Sequence, residues 1–543
     1  MRILTGILSG ALSIPLRRAT AYVLCLVLST AGDLQAAIYF LDCDRGNDAH
    51  TGLSEAQAWQ SGDKASTFDF QDGDSVRFKR GCTWENVSLK VSRSLTFEAY
   101  GEAASLPRLI AATRIRSWSR PTVNGIVLTQ ASIAQGSPGL KDILIVYDER
   151  HSRFYEKVRA LDSLDSPGQF FHDIALNTLY VIPVAGIDPS RELYVSSKPH
   201  ILELQPVNIE RIVVDGLHLS FANEYAIGFW YQSSGTRNGT LRITNCTFTG
   251  NAYQAIHIGG TNTFRNVDIL NNMITANGHE GIYIRYLKGA EPGEVVTGLL
   301  KISGNTIGGQ GFGWRAEGGD SAANGEGIDI KQGVAAGIID RNTIFDLNGM
   351  SGINLGSSNI IVEHNIIRDV HMAGVTAESS VAGITVDGDD NKGPTVVRHN
   401  VVTMSGAHGI VIRGHAERRP KFEMYDNEIS VEEPYFPFAF TSQNVTNTVI
   451  RNNRTRGGRA GLAVLKPCCP AANVEIHDNV VRDVSAPVMT AQDLSAGLRF
   501  YNNVFCVKGS LSADQQRYLT GNTITVGCPS QKVPAPPQGL QAR

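Results

Sequence analysis

Charge is scarce in this chain. Asp, Glu, Lys and Arg make up 19% of its 543 residues and nearly cancel, leaving a formal net charge of −3 at pH 7. The sequence pI is about 6.5, so there is no global basic field to point to nucleic acid or an anionic membrane surface, and any anion site has to be local. Aromatic residues are few, at 8%, yet hydrophobic residues reach 42% and glycine numbers 55. That balance excludes a disordered chain and describes a glycine-rich soluble protein with a real core. Beyond the first 36 residues no apolar run approaches the length of a membrane helix.

The apolar run that does exist lies at the start. Arg2, Arg17 and Arg18 precede residues 19–28, with Ser29 and Thr30 after them, which reads as an export leader cut after Ala36. The run is too short to span a bilayer comfortably, so a cleaved signal is expected rather than an anchor. Cys25 lacks the small preceding residue of a lipid-modified cysteine. The product is therefore expected to be secreted, extracellular or periplasmic, as a monomer with no membrane anchor. Cysteines follow at 43, 82, 246, 468, 469, 506 and 528. Oxidising surroundings favour Cys43–Cys82 and Cys506–Cys528 as staples for the two ends. Cys468 and Cys469 fit no common zinc spacing, and Cys246 reads as a small buried filler.

What the chain has in abundance is a period. AIHIGG at 255–260, GIYIRY at 281–286, GIDIKQ at 327–332, GINLGS at 352–357, GITVDG at 383–388, GIVIRG at 409–414 and GLAVLK at 461–466 share one pattern. A small residue is followed by alternating aliphatic and variable positions, the signature of a strand with one buried face. Between these strands an asparagine recurs, as in GNTI at 304–307, RNTI at 341–344, HNII at 364–367 and HNVV at 399–402. These asparagines recur every 23 to 37 residues, the longer intervals holding inserted loops, and such a period marks a solenoid in which stacked asparagines bond to backbone and to one another. Asn305, Asn342, Asn365 and Asn400 are therefore structural. The expected plan is a cap and first coils at 37–102, a β-rich insertion at 103–200, repeats at 201–528 and a proline-rich disordered tail at 529–543. The insertion is expected to pack on the repeats, with Trp118, Phe170, Phe171 and Tyr180 as its small core; an independent carbohydrate-binding module is the alternative.

Rungs of a parallel stack lie about 4.8 Å apart, so equal offsets make columns. Ile282 and Ile284, Ile328 and Ile330, and Ile410 and Ile412 point inward. One outward column runs His257, Tyr283, Asp329, Asn354, Thr385, Val411, Ala463, and the next runs Gly259, Arg285, Lys331, Gly356, Asp387, Arg413, Leu465. Insertions at 287–298, 308–325 and 371–393 fall beside the chemically rich middle rungs and would wall a groove. Residues 374–378 and 383–387 compete for the strand that stacks on GINLG.

The segment from Ile38, IYFLDCDRGNDAHTGLSEAQAW, with DGDSVRFKRGCTWEN at 72–86, resembles the opening of secreted right-handed parallel β-helix proteins of the pectate-lyase-like superfamily. The resemblance implies an all-β right-handed parallel β-helix and action on polysaccharides. Glu326-Gly-Ile-Asp-Ile-Lys331 also resembles the motif of the β-helical lyase family that includes chondroitinase B and alginate lyases. This second resemblance implies that Glu326 helps hold Ca2+ and that Lys331 is the base. The chain departs from that family at Asn324, where a first acid is usual, and at Gly356-Ser357-Ser358, where Arg-His-Gly would stand. Arg413-Gly-His415 lies further along, and Arg285 one rung before.

A lyase of acidic sugars needs a base for the C5 proton, a cation to neutralise the uronate carboxylate and a proton source for the departing O4. Lys331, with its pKa lowered by the neighbouring Arg285, is the expected base. Arg285 or Arg413 would meet the carboxylate, and Tyr283 would serve the proton relay. Asp329, Asn354, His408 and His415 are expected sugar contacts, and Glu280, Glu326, Asp387 and Asp389 the calcium ligands. The leading expectation is cleavage of an extracellular acidic polysaccharide by β-elimination. The alternatives are a glycoside hydrolase using Asp329 with Asp387 or Glu326, a uronate epimerase, and a non-catalytic glycan-binding protein.

Overall fold

The computed structural model describes residues 36–527 except 121, 124–125, 128, 133–141, 206, 230–236, 261–262, 287–296, 312–324, 332, 373–379, 388–392, 414–420, 441–445, 466–471, 491–496 and 517–519. Each coil lays one strand on each of three parallel sheets, and the chain is an all-β right-handed parallel β-helix. The first sheet has 14 strands, from Ile38–Leu41 to Leu498–Tyr501. The second has 12, from Leu89–Val91 to Ala486–Thr490, and the third has 14, from Thr83–Trp84 to Thr523–Val526.

Alternation decides which side chains enter the core. On the second sheet Ile282, Ile328, Ile353, Ile384 and Ile410 stand in register, and all are wholly buried. The strand on Ser351–Leu355 is Ala382–Val386, so 383–387 holds the rung; its rival, 374–378, lies outside the described residues. Phe438–Phe440 forms a further rung between His408–Ile412 and Ala460–Val464. Pattern reading passed it over because FPFAF puts proline and phenylalanine where its sisters carry glycine and an aliphatic.

The asparagine column is continuous from Asn272 through Asn305, Asn342, Asn365, Asn400, Asn427, Asn453, Asn479 and Asn503 to Asn522. Each Nδ2 donates to the next Oδ1, and each main-chain N–H does the same, as at Asn305 (2.9 and 3.0 Å to Asn342). The residue before each asparagine takes the left-handed conformation, with φ of 53° at Arg341, 56° at His364, 55° at His399 and 56° at Asp426. This explains the His, Asp, Asn and Gly at that phase, residue types that tolerate a positive φ. Cys246, free and buried, occupies the asparagine phase one coil earlier and donates its N–H to Asn272 Oδ1.

Two four-stranded sheets, antiparallel except where Glu156–Lys157 runs parallel to Gln169–Asp173, make up most of the insertion. Its core of Tyr155, Phe170, Leu179 and Tyr194 is shared with Phe221 and Ala252 of the coils beneath, and Trp118 packs against it. Phe171 and Tyr180 belong to a smaller cluster beside it. Arg114 pairs with Glu85 and Glu149 and lies over the Tyr194 ring, tying the insertion to the first coils.

Cys43 and Cys82 form a disulfide in the cap. Cys506 is also disulfide-bonded, but Cys528, the leader, Cys468, Cys469 and the tail lie outside the described residues. Among the described residues no helix is long and apolar enough to cross a membrane.

Candidate active site on the second sheet

Stacking turns sequence-distant residues into neighbours. His257, Tyr283, Asp329, Asn354, Thr385 and Val411 pair rung by rung. Glu280 and Glu326 stand two residues before the first inward isoleucine of their rungs, each followed by a glycine. A Cβ at Gly281 would fall 2.8 Å from Gly327 O, and one at Gly327 2.7 Å from Gly352 O, so the coils meet too closely there for any side chain.

Carboxylate oxygens of Glu280, Glu326 and Asp329 lie within 4.8 Å of one another, and all three residues are buried. Gln254 Nε2 donates to Glu280 Oε2 (2.6 Å), and Asn354 Nδ2 donates to Asp329 Oδ1 (2.9 Å). Lys331 Nζ sits 2.8 Å from Asp329 Oδ2, with 41% of its side chain exposed. Glu326 Oε2 has no hydrogen-bond partner among the described residues. Beside this group, Arg285 Nη1 donates to Tyr283 Oη at 3.2 Å.

Crowding acids out of water makes each harder to ionise. Burial, then the charge of Asp329, pushes Glu280 up to about 7. The same causes, with Glu280 added, hold Glu326 well above the carboxylate range. Burial raises Asp329 as well, against the pull of Lys331. On Lys331, burial works downward but is outweighed by Asp329, Glu326 and Glu280, so its pKa is raised. The expected lowering by Arg285 is thus corrected: three carboxylates lie nearer to the ammonium's energetics than one guanidinium does. Burial also raises Tyr283 and drops His257 to about 3 and His279 to about 4.

Tyr283, Arg285, Glu280, Glu326, Asp329, Lys331 and Asn354 therefore share one face, whereas Asp387, His408 and Arg413 belong to later rungs. Asp387 pairs with Arg413 (3.4 Å) two rungs beyond Lys331, about 10 Å away, so the acid that joins Glu280 and Glu326 is Asp329 and not Asp387. His408 is a correction as well. It is wholly buried, its Nδ1 accepts from Phe436 N (3.1 Å) and its ring stacks on Phe436, which makes it a support for the next rung and not a sugar contact. Asp389, His415, Asn324 and most of the proposed groove walls lie outside the described residues. At Gly356, a Cβ would fall 1.8 Å from Lys331 O, so no arginine fits that rung. Sequence reasoning missed Gln254, although one signal was available: it occupies the same offset as Glu280 and Glu326.

Among solved structures, the chain is similar to XylC in complex with xylose (13% identity, 90% of this chain and 82% of that one, TM-score 0.38). It is also similar to the GH136 lacto-N-biosidase from Eubacterium ramulus (13%, 86% and 68%, TM-score 0.37). A third is a mannuronic acid specific polysaccharide family 6 lyase from human gut microbiota (12%, 86% and 88%, TM-score 0.38). No curated protein matches the chain in sequence. Residues 214–430 match the family model described as right handed beta helix region, and with its three parallel sheets the chain is a right-handed parallel β-helix protein.

Proposed function

We propose that this chain cleaves an acidic, uronate-containing polysaccharide by β-elimination at the Arg285–Lys331 edge of the second sheet. The observation that supports this reading is the cluster of three buried carboxylates, one with an unpartnered oxygen, set beside two cationic side chains. Three carboxylates and one ammonium leave a formal surplus of negative charge in a dry place, which is costly unless compensated. A hard divalent cation fits that donor set, since Ca2+ takes carboxylate and amide oxygens. Glu280, Glu326 and Asp329 would hold it, and when bound it supplies Lewis-acid neutralisation of the sugar carboxylate.

The chain's own residues cover the remaining roles. Lys331 is the most exposed member of the cluster and is the base; it accepts the C5 proton only after giving up its own, so elimination favours alkaline pH. Arg285 faces the uronate carboxylate. Burial keeps the Tyr283 phenol protonated, and because Arg285 is the donor to Tyr283 Oη, the hydroxyl proton is left to pass to the departing O4. A second reading, hydrolysis, draws on Glu280: a carboxylic acid held at about 7 can act as a general acid near neutral pH. The test is a panel of alginate, pectate, chondroitin and neutral xylan, following near-ultraviolet absorbance and new reducing ends together. Both signals on a polyuronate support elimination. Reducing ends alone support hydrolysis, and binding without turnover supports the non-catalytic alternative.

A further inference from the structure

We infer that Gln254 is a positioning residue that holds Glu280 in place for a divalent cation, an inference that rests on the cation reading above. Gln254 lies one rung before Glu280 and is buried. Its Nε2 donates to Glu280 Oε2 at 2.6 Å, while His257 Nδ1 lies 3.4 Å from its Oε1. A neutral ring donating from Nδ1 fixes which end of the amide faces the acid. The His257 ring is itself held between Tyr225 (4.6 Å) and Tyr283 (5.1 Å). Each side chain in this relay thus sets the rotamer of the next, ending on a carboxylate oxygen. The choice of an amide matters: it satisfies one oxygen of Glu280 without cancelling its charge, so the other oxygen stays available to an ion. A lysine or arginine at 254 would orient Glu280 equally well and compete with the cation. Glu326 Oε2, buried in the same cluster, has no partner among the described residues, a second observation that points to an ion there.

Support of this kind typically changes metal affinity by about 10–100-fold. The experiment is calorimetric titration of CaCl2 into chelator-stripped full-length protein, comparing wild type, Gln254→Met, Glu280→Gln and the double variant. Wild type is expected to bind, Gln254→Met to bind roughly tenfold or more weakly, and the same substitution to cost nothing further once Glu280→Gln has removed the ligand it orients. Equal affinity of wild type and Gln254→Met, or a full additional loss in the double variant, overturns the inference and leaves the cation reading standing. No heat from wild type overturns both. If Gln254→Met does not fold, His257→Phe carries the test, since it keeps a ring between the tyrosines and removes Nδ1, together with Nε2; it is expected to weaken binding in the same direction.

Discussion

Glu326 is the residue on which charge and burial conflict most openly. It is buried beside two other acids, and one of its oxygens has no partner among the described residues. Replacing it with glutamine removes a ligand and, at once, a buried acid that must take up a proton to stay folded without calcium. Glu326→Gln is therefore expected to raise the melting temperature of the calcium-free protein and to abolish the further rise that calcium gives wild type, as differential scanning fluorimetry would read. Glu280 sets a pH dependence whose sign follows from its raised pKa. The folded state binds a proton more tightly than the unfolded one, so its contribution to stability is complete below about pH 4.3 and is lost as pH rises through about 7. In chelator, the melting temperature of wild type relative to Glu280→Gln should fall between pH 5 and pH 8, the comparison cancelling the opposite contribution of the buried His200, His218, His257 and His279; a difference that does not change with pH would contradict the assignment. Asp142, held low by His172 and Lys157 against burial, acts at more acid pH, whereas Glu326 shares this window with the same sign.

The element that carries the fold is the asparagine column, and its energetics can be tested at one rung. Asn342 accepts from Asn305 N and Nδ2 and donates to Ile302 O and Asn365 Oδ1. Asn342→Ala leaves several buried polar groups unsatisfied, each worth about 1–3 kcal/mol. Denaturant unfolding should show a loss at the upper end of single-substitution effects, whereas Asp426→Asn, at an exposed left-handed position before Asn427 in the same column, should be close to neutral. Much of this was legible in sequence because both signals repeat: aliphatic alternation set the second-sheet register, and asparagine marked the corner. The places where reading failed are those where the repeat changes its letters. Cys246 stands at the asparagine phase, while Asn245 beside it takes the left-handed position, so the nearest asparagine in the sequence of that coil is not at the stacking position.

At the scale of the molecule, the solenoid makes a site by vertical addition, and that explains which part of the site sequence could reveal. Tyr283 with Asp329 and Arg285 with Lys331 follow from counting offsets. Which acid completes the cluster does not, since the choice of Asp329 over Asp387 depends on Asp387 being engaged by Arg413 two rungs away. The protonation of Lys331 was likewise misjudged from neighbours in one column alone, because Glu280 and Glu326 approach from another. The most direct measurement is the initial rate of near-ultraviolet absorbance on the best polyuronate for wild type and Lys331→Ala, with and without calcium. Cation-assisted elimination with Lys331 as base requires a calcium-dependent signal that drops by at least about a hundredfold in Lys331→Ala, in the range of a lost general base. Lys331→Ala turning over at the wild-type rate, or a wild-type reaction that yields reducing ends without absorbance, would contradict it.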